Sequence, residues 1–142
     1  MSQLIRDMTN ITRCGAQYRT ELLAPLGLKG CHASYLIEIC RDPGISQDRL
    51  AQRICINKSN VARQTAVLEE GGFITRTASP QDKRATQLYP TEKTIALMPK
   101  IREILNQWER YLTQDMTGDD IAQITALLSA MVDRAEAWME EK

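Results

Sequence analysis

Residues 57–75 read NKSNVARQTAVLEEGGFIT, and the parsing of that run governs everything around it. Asn57 suits a helix N-cap, and Val61, Thr65 and Leu68 then recur at helical spacing, which predicts a helix reaching Glu70. The Gly71-Gly72 pair stops it in left-handed fashion. With Val61, Thr65 and Leu68 inward, Lys58, Ser59, Asn60, Arg63 and Gln64 are expected to face outward. Immediately upstream, PGISQDRLAQRICI (residues 43–56) gives an N-cap at Ser46 and Asp48 in the first turn, where the helix dipole favours it. Leu50, Ala51 and Ile54 form the buried stripe of a short helix, and Cys55-Ile56 make a tight connection. Downstream, Phe73–Thr77 and Thr86–Tyr89 lean to β, and the polar, turn-rich Ser79-Pro80-Gln81-Asp82-Lys83-Arg84 between them predicts a hairpin with a basic tip. Short helix, tight turn, helix with a polar face, then basic hairpin is the order of a winged helix-turn-helix.

The flanks are helical. Leu4, Met8, Ile11, Tyr18 and Leu22 predict a first helix of about two dozen residues, closed by Pro25 and Gly27. Ser34–Cys40 is nearly all apolar, so a second helix sits inside and ends at Asp42-Pro43-Gly44. After Pro90, a helix starting at Thr91-Glu92 carries the stripe Ile95, Met98, Ile101, Leu105, Trp108 and Leu112, bent by Pro99. Thr117 with Asp120 resembles a capping box and opens a last helix with Ile121, Ile124, Leu128, Met131, Ala135 and Trp138 on one face. The fold class is mainly α with a small β-hairpin wing.

The chain has 142 residues, 43% hydrophobic and 25% charged, as an ordinary globular domain does. No apolar run approaches a membrane span and the N-terminus lacks a signal-like apolar core, so a cytoplasmic protein without membrane contact is expected. Net charge is zero but unevenly spread. Residues 44–90 carry seven Lys/Arg against four Asp/Glu, whereas residues 91–142 carry six against ten. A basic middle is what attracts phosphate. Cys14, Cys31, Cys40 and Cys55 lack zinc-like spacing and are expected to be reduced and mostly buried. One histidine, no glycine-rich phosphate loop, no nucleophile elbow and no metal cluster argue against an enzyme, a cofactor or a metal.

The chemistry of the second helix of the pair suits double-stranded DNA. An α-helix fits the major groove, where Asn and Gln match adenine and Arg matches guanine. The basic hairpin tip can lie along the backbone or enter the minor groove. Read alone, polar residues on a helix face are only a solvated face, and winged domains also serve as protein-interaction modules that bind no DNA.

Residues Pro43–Ala51, Asn57–Arg63, Leu68–Arg76, the wing run Asp82-Lys83-Arg84 and the exit Leu88–Lys93 together resemble the MarR family of transcriptional regulators over nearly the whole chain. Two departures are Pro90, where the family often has Leu, and Thr94, where it often has Gly; neither is expected to touch the reading head. The resemblance implies a homodimer reading a pseudo-palindromic operator, usually as a repressor. Residues 31–90 would be the DNA-binding region, and residues 1–30 and 91–142 would dimerise. Its DNA-contacting residues would be Ser46, Gln47, Lys58, Ser59, Asn60, Arg63, Gln64, Arg76, Asp82, Lys83 and Arg84, with Asp82 orienting the wing and Arg84 reaching the minor groove. It also implies release by a small lipophilic or phenolic effector, for which Tyr18, Arg19, His32, Tyr35 and Trp108 are wall candidates; each aromatic reads first as plain core packing, and His32 also as an exposed residue at the start of the second helix. A branch of the family senses peroxides through a first-helix cysteine, which would make Cys14 a redox site. Adjacent Arg13 points away on the helix and activates it poorly, so Cys14 is expected to be packing.

Overall fold

Capping sets the helix boundaries in the computed structural model, which describes residues 1–82 and 85–142. Asn57 Oδ1 accepts from the Asn60 N–H at 2.8 Å, and Ser46 Oγ from the Arg49 N–H at 3.0 Å. These caps start α4 (Lys58–Glu70) and α3 (Gln47–Ile54). Cys55, at φ 57° in the left-handed region, turns one helix into the other. Gly72, not Gly71, takes the left-handed conformation after α4, at φ 80°.

Before this pair stand α1 (Gln3–Leu23), a 3-10 turn Ala24–Leu26, and α2 (His32–Arg41). The two strands of the expected hairpin pair antiparallel, β2 (Ile74–Ala78) with β3 (Thr86–Pro90), and β1 (Ile45–Ser46) adds a third strand in the order β1-β3-β2. Ile45 pairs with Leu88, and Arg76 pairs with the same Leu88 from the other side. Gly44, at φ 92°, lets the chain enter β1; its N–H donates to the Leu88 carbonyl at 2.7 Å. The chain continues through α5 (Glu92–Leu112) and α6 (Gly118–Glu140).

Two compact units divide the chain, Met1–Asn106 and Gln107–Lys142. The core of the first gathers Leu23, Tyr35, Leu36, Ile39, Leu50, Val61, Leu68, Ile74, Leu88 and Ile101, none more than 1% exposed. Within α5 the inward residues are Thr94, Met98, Ile101 and Ile104; Ile95, expected in the stripe, is 57% exposed. At the start of the helix, buried Thr94 takes the inward position that hydrophobicity alone gives to its neighbour. In the second unit the Thr117–Asp120 capping box forms as expected, but no residue of α6 is buried. Part of the α1 stripe is likewise uncovered, with Leu4 56% and Ile11 52% exposed, while Met8 and Tyr18 are half-buried. Among the described residues no helix is long and apolar enough to cross a membrane.

Candidate nucleic-acid interface

One face of α4 points to solvent, and its composition follows from helical geometry. Val61, Thr65 and Leu68 are buried together, so Ser59 and Arg63, four residues apart, fall on the opposite side. Both are exposed, as is Lys58 beside them. Their neighbours hold them in place. Ser59 Oγ donates to the capping Asn57 Oδ1 at 2.9 Å, and Arg63 Nη2 donates to Asn60 Oδ1 at 3.2 Å. Lys58 Nζ lies 3.4 Å from Asp48 of α3, an exposed pair that water screens and DNA can open. Asn60 is half-buried.

Gln64 does not face outward as expected. It lies at the edge of the buried stripe, half-buried, where its Oε1 accepts from His32 Nε2 at 2.8 Å. His32, far from sitting exposed, is 2% accessible. Gln64 sits beside the buried stripe because a buried imidazole on another helix pairs with its amide oxygen.

The other predicted contact residues divide between anchoring and exposed positions. Ser46 spends its hydroxyl on the α3 cap, and half-buried Gln47 accepts from Thr65 Oγ1 at 2.9 Å, tying α3 to α4. Arg76 is gripped by Glu69 at the end of α4: its backbone N–H donates at 2.9 Å, its Nε at 3.1 Å, and Nη2 lies 3.1 Å away. That makes it a strut between α4 and β2, with a side chain 30% exposed. Asp82 is exposed at the wing turn, where its carbonyl accepts from the Ala85 N–H at 3.0 Å. Lys83 and Arg84 lie outside the described residues. Arg49, passed over in the sequence, is exposed in the first turn of α3 next to Asp48 and has no side-chain partner among the described residues. A cation left over once caps and pairs are assigned was its only available signal.

The joint between α4 and the wing also corrects an expectation. Thr94 touches the reading head: it is fully buried, and its Oγ1 donates to the Phe73 carbonyl at 2.6 Å. Thr91 Oγ1 donates to Gly72 O at 2.7 Å and Lys93 Nζ to Gly71 O at 2.9 Å. The start of α5 thus satisfies the carbonyls of the Gly71–Phe73 turn, whose own N–H groups take up the last carbonyls of α4 at Val67, Glu69 and Leu68.

Four of the five effector-wall candidates lie in the first unit, where His32 and Tyr35 stand edge to face. Tyr18 Oη donates to the Ile104 carbonyl at 2.7 Å and Arg19 is half-buried. Tyr35 is fully buried, with its hydroxyl unpartnered, and burial pushes its pKa up. Trp108 belongs to the second unit, 6.0 Å from the Tyr111 ring. The cysteines depart from expectation: Cys14, Cys31 and Cys55 are exposed and only Cys40 is half-buried. Burial raises the Cys40 pKa, offset in part by Arg102. Cys14 is therefore not packing within its own chain, because α1 buries only Gly15 and Leu23.

The chain matches the model of the MarR family over residues 32–86. It is 29% identical over 128 residues to the uncharacterized HTH-type transcriptional regulator YybA of Bacillus subtilis, covering 90% of this chain and 85% of that one. The crystal structure of the transcriptional regulator SlyA superposes with a TM-score of 0.93 at 26% identity, covering 99% of this chain and 100% of the other. A MarR family regulator from Listeria monocytogenes, solved in complex with a 26mer DNA, gives a TM-score of 0.91 at 25% identity, covering 96% of this chain and 91% of that one.

Proposed function

We propose that this chain, whose residues 32–86 match the MarR family model, is a DNA-binding transcriptional regulator that represses transcription by binding a pseudo-palindromic operator as a homodimer. The observation that carries this is the solvent-facing side of α4, where Ser59 and Arg63 stand exposed on a helix whose opposite side is core. Such a helix enters the major groove with its donors toward base edges, while Lys58 and Arg49 reach phosphates. Asp82, Lys83 and Arg84 extend the contact along the backbone or into the minor groove. Residues 31–90 act as the reading head, residues 1–30 and 91–142 as the dimerising part, in the cytoplasm. A small lipophilic or phenolic molecule binding near Tyr18 and Arg19 releases the operator. The test is a salt titration of binding to duplex DNA. Phosphate-driven binding weakens steeply with salt, and salt-insensitive or absent binding would favour a protein-interaction module instead.

The exposure of Cys14 supports a second reading, in which oxidation of that thiol releases DNA. Access to oxidant is one of the conditions a sensing thiol needs. Treating the DNA-bound protein with cumene hydroperoxide decides it: release from wild type but not from Cys14→Ser establishes thiol control, and equal behaviour of the two removes it.

A further inference from the structure

His32 is the only histidine of the chain, and it is 2% exposed at the first position of α2. A buried imidazole is tolerated when both ring nitrogens are paired, and here both are. The Lys29 backbone N–H donates to Nδ1 at 3.0 Å, so Nδ1 carries no proton. The proton is on Nε2, which donates to Gln64 Oε1 at 2.8 Å. The ring stands edge-on to Tyr35, centroids 6.3 Å apart at 88°, which limits its rotation.

Gln64 follows Arg63 directly. A hydrogen bond that fixes the flank of α4 at residue 64 therefore fixes how far the exposed guanidinium at residue 63 is turned toward a partner. We propose that His32 is a positioning residue for DNA reading: through Gln64 it sets the rotation of α4, and it does so only as the neutral imidazole. This rests on the DNA-binding reading above and adds a pH response to it.

The charged group acting on the ring is Lys29 in the preceding turn; Tyr35, edge-on to the ring, is in turn acted on by Cys31 and by Arg63 of α4. Burial, chiefly, and the Lys29 charge hold the His32 pKa below its ordinary value, with the Gln64 bond opposing in part. Neutral His32 is thus the form present at neutral pH. As pH falls below the ordinary histidine value of about 6.5 and through the lower folded value, Nδ1 gains a proton that faces the Lys29 N–H, donor against donor. Nε2–H can still donate to Gln64, so what protonation removes is the seat: the charged ring is repelled from the Lys29 N–H and from its buried site, and as it shifts it carries Nε2 off Gln64. An exposed histidine behaves oppositely, since its new charge strengthens phosphate binding as pH falls.

The experiment uses the full chain and two duplexes, one selected by wild type from a random library and one scrambled from it. Affinities are measured at about pH 7.5 and pH 5, at fixed ionic strength, for wild type, His32→Phe, His32→Gln, Gln64→Leu and the His32→Phe/Gln64→Leu pair. At pH 7.5, His32→Phe is expected to bind the selected duplex about tenfold more weakly, with the scrambled duplex unchanged. His32→Gln, which keeps a neutral donor, retains wild-type affinity. The double variant binds no more weakly than His32→Phe alone. Wild type loses selected-duplex affinity at low pH and His32→Gln does not, which also settles the matter if the Phe variant fails to fold. Equal pH slopes for wild type and His32→Gln, or additive losses, or parallel losses on both duplexes, would overturn the proposal. Failure of wild type to enrich or bind any duplex would instead remove the DNA-binding reading itself.

Discussion

Arg63 and Lys58 both lie exposed on α4, yet their settings give them different work. Arg63 is held by Asn60 Oδ1 on the outward side of the helix, so its fork is aimed before any partner arrives. Arg63→Ala is expected to relax preference at one base position per half-site, a cost of roughly 1–3 kcal/mol. Lys58, with a side chain 71% exposed beside Asp48, offers a point charge near the helix N-terminus. Lys58→Ala should weaken every sequence alike and flatten the salt slope by about one. Uniform loss from both variants, measured on selected and scrambled duplexes, would take Arg63 out of base reading. Arg84→Ala at the wing should cut affinity strongly in a mobility shift without changing the unfolding midpoint; unchanged affinity would mean that the wing tip is not a DNA contact. The residues whose role was readable from sequence are those whose partner is local. Asn57 and Ser46 cap within three residues, and they do so in the structure. The surroundings of Gln64, Arg76 and Cys14 were not legible because what decides each lies elsewhere: a buried imidazole, a carboxylate seven residues back, and an α1 that its own chain leaves largely uncovered among the described residues.

At the level of elements, the helices were legible from period and caps because each is long enough to repeat its pattern. β1 was not, since two residues carry no alternation and Ile45-Ser46 becomes a strand only by pairing with Leu88 and Gln87. The α4–α5 joint was also invisible. Thr94 stands where the resemblance expects Gly, and only the fold shows that its hydroxyl reaches the Phe73 carbonyl. Thr94→Val keeps the shape and removes the donor. Phe73 O still accepts from the Thr91 N–H at 3.1 Å, so the carbonyl is not orphaned. The expected loss is accordingly about 1 kcal/mol, read as a lower urea midpoint at unchanged slope. A loss several times larger would mean that the hydroxyl also fixes the packing of α5; no loss would mean that it is redundant.

For the whole molecule, the question is what covers the apolar surface that the chain leaves bare. None of α6 is buried, and Ile124, Leu127, Leu128, Val132 and Trp138 are 40%, 65%, 42%, 49% and 57% exposed. Leu4 and Ile11 of α1 are exposed to a similar degree. Apolar area of this extent, carried on two long helices, is more than an isolated monomer ordinarily shows to water. The expected outcome is a dimer by light scattering at micromolar concentration. Replacing Leu127 and Leu128 by Asp would put charges on that surface, which the dimer could bury only at large cost. The core of the first unit, from Leu23 to Ile101, contains neither leucine, so the variant should remain folded by circular dichroism. Its selected-duplex affinity should fall far more than Arg63→Ala achieves, because two joined heads bind one operator with the second contact made intramolecular. A wild-type protein that scatters as a folded monomer at high concentration would refute the dimer. A monomeric Asp variant that still binds the selected duplex at wild-type affinity would show that one head reads its site alone.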